Sequence, residues 1–441
     1  MIRRMVVAAV LGLCAAPASA SVFDQTRVGG TVRIDRLQLN AQKALGGGKH
    51  GITLERVELY AQDARILVPL GDGVVQELPR NPERYFIRTD GTASERFFLA
   101  VSADGERFRG MLFAADGAHR FSGKVSGNSL AVEHTVRETT ADTDFQCGVQ
   151  HDKFTLPASS TDETSTQIAP KSTAGSLHQA IVAIDTDNEL LNLKFSNNTT
   201  TATTYLTDLF AGMNVMYERD LGVRLVQGTT FLRTSDIADP YSQTTTGNQL
   251  NEVGGYWMNN YGAIDRAFVA FLSGKHPQAN EGSGIAWVLT SGSYCARTGT
   301  DQGGGQIAGH YSATQIVRSA SAAFNVGLVG HEIGHNFGAS HTHCTDINTG
   351  NFDVTTNTID QCYATESGCY SGPTSCPNDG SMMIPAQGSV MSYCHACGVQ
   401  NQFHPTQQIT LGVRVATNIG NGCFTAIGGG GPNDIFADGF E

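Results

Sequence analysis

Basic residues are scarce in this chain. Lysine and arginine number 29 against 41 aspartates and glutamates, for a formal net charge of -12. With no basic surplus to collect phosphates, nucleic acid is excluded as an expected partner. Charge of either sign is thin, at 16% of residues, while 40% are hydrophobic, the proportions of an ordinary soluble globular protein. Long apolar runs are missing after the first twenty residues, so no membrane span is expected. Cysteine is almost missing from the first two thirds of the chain: of ten, only Cys14 and Cys147 precede residue 290.

What is present begins with an export signal. Arg3 and Arg4 supply a charged start, Met5 to Ala16 an apolar core, and Ala18-Ser19-Ala20 a small-residue cleavage site. Leu13 is too large for the position before a lipidated cysteine, which makes a lipid anchor on Cys14 the weaker alternative. A secreted protein is expected, with a periplasmic stage compatible with the same signal. Eight cysteines after residue 290 (Cys295, Cys344, Cys362, Cys369, Cys376, Cys394, Cys397 and Cys423) then read as four disulfides. Eight cysteines allow 105 pairings, so none is assigned. A structural zinc at Cys394-His395-Ala396-Cys397 is the rival explanation.

Five segments follow from composition: a signal peptide over 1–20, a β-rich domain over 21–155, a linker over 156–176, a second domain over 177–426, and a Gly-rich link and tail over 427–441. In the second segment Ile52, Leu54, Val57 and Leu59 nearly alternate, and Asp104-Gly105 and Asp116-Gly117 mark hairpin turns. The linker is rich in Ser, Thr and Pro, a place for a processing protease to cut. Beyond it, strand patterns at 180–184, 223–232, 267–272 and 284–288 interleave with helical spacing at 200–218, 250–261 and 319–337. That order predicts an α/β (α+β) domain with a twisted sheet backed by helices. The tail after Gly428 to Gly431 reads as a sorting tag or a frayed end.

Everything else is arranged around His331-Glu332-Ile333-Gly334-His335-Asn336-Phe337-Gly338-Ala339-Ser340-His341. On a helix, positions four apart face the same way, so His331 and His335 can aim two imidazoles at one metal ion. Gly338 can end the helix in a left-handed conformation that a side chain would disfavour, letting His341 swing back as a third ligand. Zinc favours four tetrahedral ligands, and three nitrogens leave one position open for water, the arrangement of a catalytic site. Glu332, beside the first ligand, can act there as general base. His343 is a rival third ligand, although the Gly338 spacing favours His341. One catalytic Zn2+ is expected; Ca2+ binding is not legible in the sequence.

Cys147, within Phe145-Gln146-Cys147-Gly148-Val149, is a lone upstream thiol in an exported chain. As a thiolate in the open zinc position it would keep the enzyme silent. A disulfide to the later cluster, or an inert buried thiol, are the alternatives.

The extended motif resembles that of the metzincin metalloproteases, and Gly388-Ser389-Val390-Met391-Ser392-Tyr393 resembles their methionine turn. Within that group the region 178–400 is similar to the reprolysin (adamalysin) branch. Gln179 to Asp185 resembles its opening strand, and Gly284-Ile285-Ala286-Trp287-Val288 the edge strand that pairs with an extended substrate. Cys147-Gly148-Val149 resembles its prodomain switch segment. Thr342 and His343 depart from that branch, which follows the third histidine with Asp. Tyr393 stands where astacins and serralysins carry a tyrosine that ligates zinc and then turns to the transition state; a packing role is the alternative here. The resemblance implies a zinc endopeptidase made as a zymogen, with residues 21–155 as its prodomain and 177–426 as its catalytic domain, acting on protein or peptide substrates; a monomer is expected. The rivals are a binding module with a dead site and a zinc amidase acting on cell-wall peptides.

Overall fold

The computed structural model describes residues 21–34, 37–38, 44–45, 51–90, 95–114, 117–127, 129–138, 145–151, 177–288, 293–295, 300–301, 307–352, 354–378, 380–382 and 386–427. The expected signal peptide, the linker and the tail after residue 427 lie outside them.

The N-terminal region is built of strands, as its alternation predicts. They are β1 (Thr31–Ile34), β2 (Ile52–Val57), β3 (Ile66–Gly71), β4 (Val74–Leu78), β5 (Arg84–Arg88), β6 (Phe97–Val101), β7 (Arg107–Ala114), β8 (Gly117–Ser126) and β9 (Ser129–Arg137). Seven form an antiparallel sheet in the order β1-β2-β5-β6-β7-β8-β9. Gly105 turns the chain between β6 and β7 with φ 75°, the left-handed geometry expected at Asp104-Gly105. Both faces of this sheet are covered. On β6 and β7, Phe97, Leu99, Val101, Phe108 and Leu112 point into one cluster, with Phe23 and Ile52. The alternate residues Phe98, Ala100, Met111 and Phe113 point into the main core of the molecule.

The β3–β4 hairpin leaves that sheet and enters the second one. There it meets β10 (Phe145–His151), β11 (His178–Thr186), β12 (Val223–Phe231), β13 (Phe268–Ser273), β14 (Gly282–Val288) and β15 (Tyr311–Gln315). The order is β10-β14-β15-β13-β11-β12-β3-β4, with Thr425–Ala426 pairing β11 at its start. β10–β14, β15–β13, β13–β11, β11–β12 and β12–β3 are parallel; β14–β15 and β3–β4 are antiparallel. This is the mixed sheet expected, enlarged by strands from the N-terminal region.

Helices back the sheet. α1 (Asn188–Phe195) starts at Asp187, whose carboxylate accepts from the Leu190 amide, and stops at Ser196 in the left-handed conformation. α2 (Thr199–Leu221) is capped by Asn198 and ended by Gly222 at φ 65°. From Ala202 to Tyr217 nearly every side chain of α2 is buried, so it has protein on all sides. α3 (Thr246–Asn260) packs over β15 and β14, and α4 (Ala322–Asn336) carries the histidine motif. α5 (Pro405–Gly420) opens with proline at its first position. No helix among the described residues is long and apolar enough to cross a membrane.

Candidate active site

α4 is apolar at Ala322, Ala323, Val326, Val329 and Ile333, which bury it in the main core, and its last turn is sealed from solvent. Gly338 ends it with φ 94°; a Cβ there would also run into the guanidinium of Arg414. The chain then doubles back, and a short 3-10 turn at Thr342–Cys344 holds His341 over the helix.

His331, His335 and His341 meet through their Nε2 atoms, at 3.0 Å (His331–His335), 3.2 Å (His335–His341) and 3.3 Å (His331–His341). Their Nδ1 atoms are all engaged on the far side: His331 with Val390 O at 2.6 Å, His335 with Ala339 O at 2.7 Å, and His341 with Glu366 Oε2 at 2.7 Å. A carbonyl or carboxylate oxygen accepts, so each Nδ1 carries the proton and each Nε2 turns a lone pair to the centre. Three buried lone pairs at this range repel unless a cation sits among them. Tetrahedral nitrogen ligands about 2.0–2.1 Å from zinc would lie about 3.3–3.4 Å apart, close to the observed spacing. The residues fit a zinc ion.

Cys147 reaches the same point along β10, with its Sγ 3.6 Å from His335 Nε2. A sulfur about 2.3 Å and a nitrogen about 2.05 Å from one tetrahedral zinc would be about 3.6 Å apart. The four side chains form one group able to hold a metal ion. Cys147 is not in a disulfide, and burial pushes its thiol up, with the Glu332 carboxylate adding to the shift. Its carbonyl accepts from the Tyr393 hydroxyl. β10 lies parallel to β14, with Cys147 opposite Gly284, Gly148 opposite Ile285, Val149 opposite Ala286 and Gln150 opposite Trp287. The strand assigned to substrate by resemblance thus has its free side covered by the chain's own residues 145–151.

Glu332 is fully buried beside this group, and neither carboxylate oxygen has a hydrogen-bond partner of good geometry among the described residues. Burial pushes its carboxyl well above the ordinary range, with the nearby Cys147 thiol opposing the shift. It lies against Gly284, where a Cβ would be 2.1 Å from Oε1.

Met391 is completely buried under the helix, against Gly334, where a Cβ would come 2.6 Å from its Sδ. The turn around it fastens the histidines through its backbone: Val390 O takes His331 Nδ1, and Met391 O accepts from the Thr342 amide at 3.2 Å. Tyr393 stacks obliquely on His341, ring centroids 4.5 Å apart.

His343 does not join the group. Its Nε2 faces Glu366 Oε2 at 2.8 Å, the oxygen that also takes His341 Nδ1. Burial alone would raise the Glu366 carboxyl, but hydrogen bonds from His341 and His343 outweigh it and hold the group well below the usual carboxylate range. Sequence reasoning missed Glu366, as it missed Asp360, which accepts from the Thr342 hydroxyl where the reprolysin pattern has an acid in the chain itself. The cysteines are the signal for both. Cys344–Cys369 holds the Glu366 loop to the His343 turn, and Cys362–Cys394 ties the Asp360 stretch to the methionine turn. Cys295–Cys423 and Cys376–Cys397 complete four disulfides. With Cys394 and Cys397 each in a disulfide, no second zinc site forms at that run.

None of the curated proteins matches the chain. Among solved structures it is similar to metalloproteinase-II from Bacteroides fragilis, at 9% identity and a TM-score of 0.37, over 72% of this chain and 82% of that one. Residues 177–395 match metallo-peptidase family M12 in its reprolysin form. The region that carries the histidine helix and the methionine turn is a reprolysin-like member of the M12 metallopeptidases.

Proposed function

We propose that the chain is a secreted zinc endopeptidase made in a latent form, with His331, His335 and His341 as metal ligands, Glu332 as general base and Cys147 as the latency switch. The observation that carries this reading is the convergence of three Nε2 lone pairs beside a buried carboxylate that has no hydrogen-bond partner of good geometry among the described residues. A zinc ion held there supplies Lewis acidity to a scissile carbonyl and acidifies a water molecule.

The side chains supply the rest. Glu332 takes the proton of the attacking water and returns it to the leaving amine. The carbonyls of Val390 and Ala339 and the Glu366 carboxylate fix the tautomer and orientation of the three rings. Met391 closes the floor of the site against water. Tyr393, whose hydroxyl donates to the Cys147 carbonyl and whose ring packs on His341, donates to the developing oxyanion once that carbonyl leaves. β14 offers main-chain groups to an extended protein substrate once β10 has left, which confers little sequence preference. In the latent state β10 fills that place in parallel, opposite in direction to a substrate lying antiparallel. Four disulfides support export to an oxidising compartment.

Glu332→Gln tests the reading. After removal of residues 145–151 from the site, the variant should keep its melting temperature and one zinc per chain yet lose casein cleavage by at least about 100-fold. Cleavage at the unsubstituted rate would refute Glu332 as the base.

A further inference from the structure

The N-terminal region is joined to the M12 region through its fold and not only through the chain between them. We propose that residues 22–137 are a lasting, non-covalent subunit of the mature protein: cutting the chain within 156–176 leaves them bound, and activation displaces only the β10 arm. This inference stands on the fold alone and holds whether or not the histidines bind zinc.

Three seams carry it. The first is a shared sheet. β3 extends the edge of β12, with the Thr230 amide donating to Arg65 O at 2.8 Å and the Leu232 amide to Leu67 O at 2.9 Å. One turn earlier, the Gln227 amide donates to Leu59 O and the Ala61 amide to Gln227 O, both at 2.8 Å. Departure would leave β12 as a long bare edge of nearly all-buried residues.

The second seam is a common core. Tyr85, Phe98, Met111 and Phe113 lie in one apolar cluster with Leu206, Phe210 and Met213 of α2. Gly212 sits at this seam: a Cβ there would be 3.2 Å from the Phe113 ring across the boundary and 2.4 Å from Val326 of α4 on its own side. α2 is buried on all sides only because the N-terminal sheet covers one of them. A detachable cap would leave a polar face beneath it.

The third is a charged lock. Arg109 on β7 donates to both carboxylate oxygens of Asp208 on α2, at 2.9 and 2.7 Å, and the Tyr85 hydroxyl donates to Asp208 at 2.6 Å. Arg224, 1% exposed, bridges Glu218 and Glu55 across the same boundary. The four disulfides all join residues between 295 and 423, so none of them ties the two regions together.

The experiment places a site-specific protease sequence within 156–176 of the full chain, cuts it to completion and runs size exclusion with light scattering at micromolar and 10–100-fold lower protein. Both fragments should co-elute at the mass of the uncut chain. Cut Cys147→Ser protein should do the same, because the association does not depend on the thiol. Fragments that elute apart, or a 177–441 fragment that precipitates while the other stays in solution, would overturn the proposal. Separation confined to Cys147→Ser would overturn it too, since the β10 contact would then be the whole attachment. Mass is read rather than proteolysis, so failure of the zinc reading leaves the result untouched.

Discussion

A methyl group placed on Gly284 would lie 2.1 Å from Oε1 of Glu332 and 2.4 Å from its Cδ. The edge strand and the proposed base therefore share one volume, and glycine is what lets them. Gly284→Val should push the Glu332 carboxylate off its position without touching a histidine. Steady-state kinetics should show kcat for casein peptides falling about 100-fold at unchanged zinc content. A normal kcat would mean that the carboxylate works from somewhere else.

Glu366 holds His341 and His343 with a single oxygen. Glu366→Gln keeps the shape and loses the charge that fixes the His341 tautomer. Zinc affinity, measured by competition with a chromophoric chelator, should fall about 10–100-fold. Unaltered affinity would reduce Glu366 to a packing residue.

How much of this was legible beforehand follows the range of the interactions. His331 and His335 are four apart on one helix, and Gly338 marks its end, so local geometry brings them into view. The helix itself begins at Ala322, with Ser321 in extended backbone before it, and not at Ser319, because residues 318–319 form a turn instead. α5 was missed although His404-Pro405 offered a start signal, and α1 although Asp187 did. Glu366 and Asp360 reach the site through disulfides, whose pairing spacing alone does not select. The β3–β4 hairpin sits beside β12, some 160 residues on, a long-range pairing that no alternation pattern encodes.

His310 is buried beside Phe268 and Tyr294, at ring-centroid distances of 6.0 and 5.3 Å. Burial lowers its pKa from 6.5 to about 4. Between those values the native chain binds fewer protons than the unfolded one, so this stability is whole above pH 6.5 and lost as the pH falls to 4. Urea melts at pH 7 and pH 4.5 should show the wild type losing about 2 kcal/mol more than His310→Phe. Equal losses would contradict a buried neutral imidazole.

The central claim is that three histidine nitrogens and the Cys147 sulfur surround one zinc in the uncut chain. X-ray absorption at the zinc edge tests it directly. The account predicts three nitrogen scatterers near 2.0–2.1 Å and one sulfur near 2.3 Å, roughly the distances usual for such ligands. In Cys147→Ser the sulfur shell should vanish and casein hydrolysis should start without cleavage of the chain. A zinc spectrum with no sulfur in the wild type, or a purified chain with no zinc at all, would contradict it.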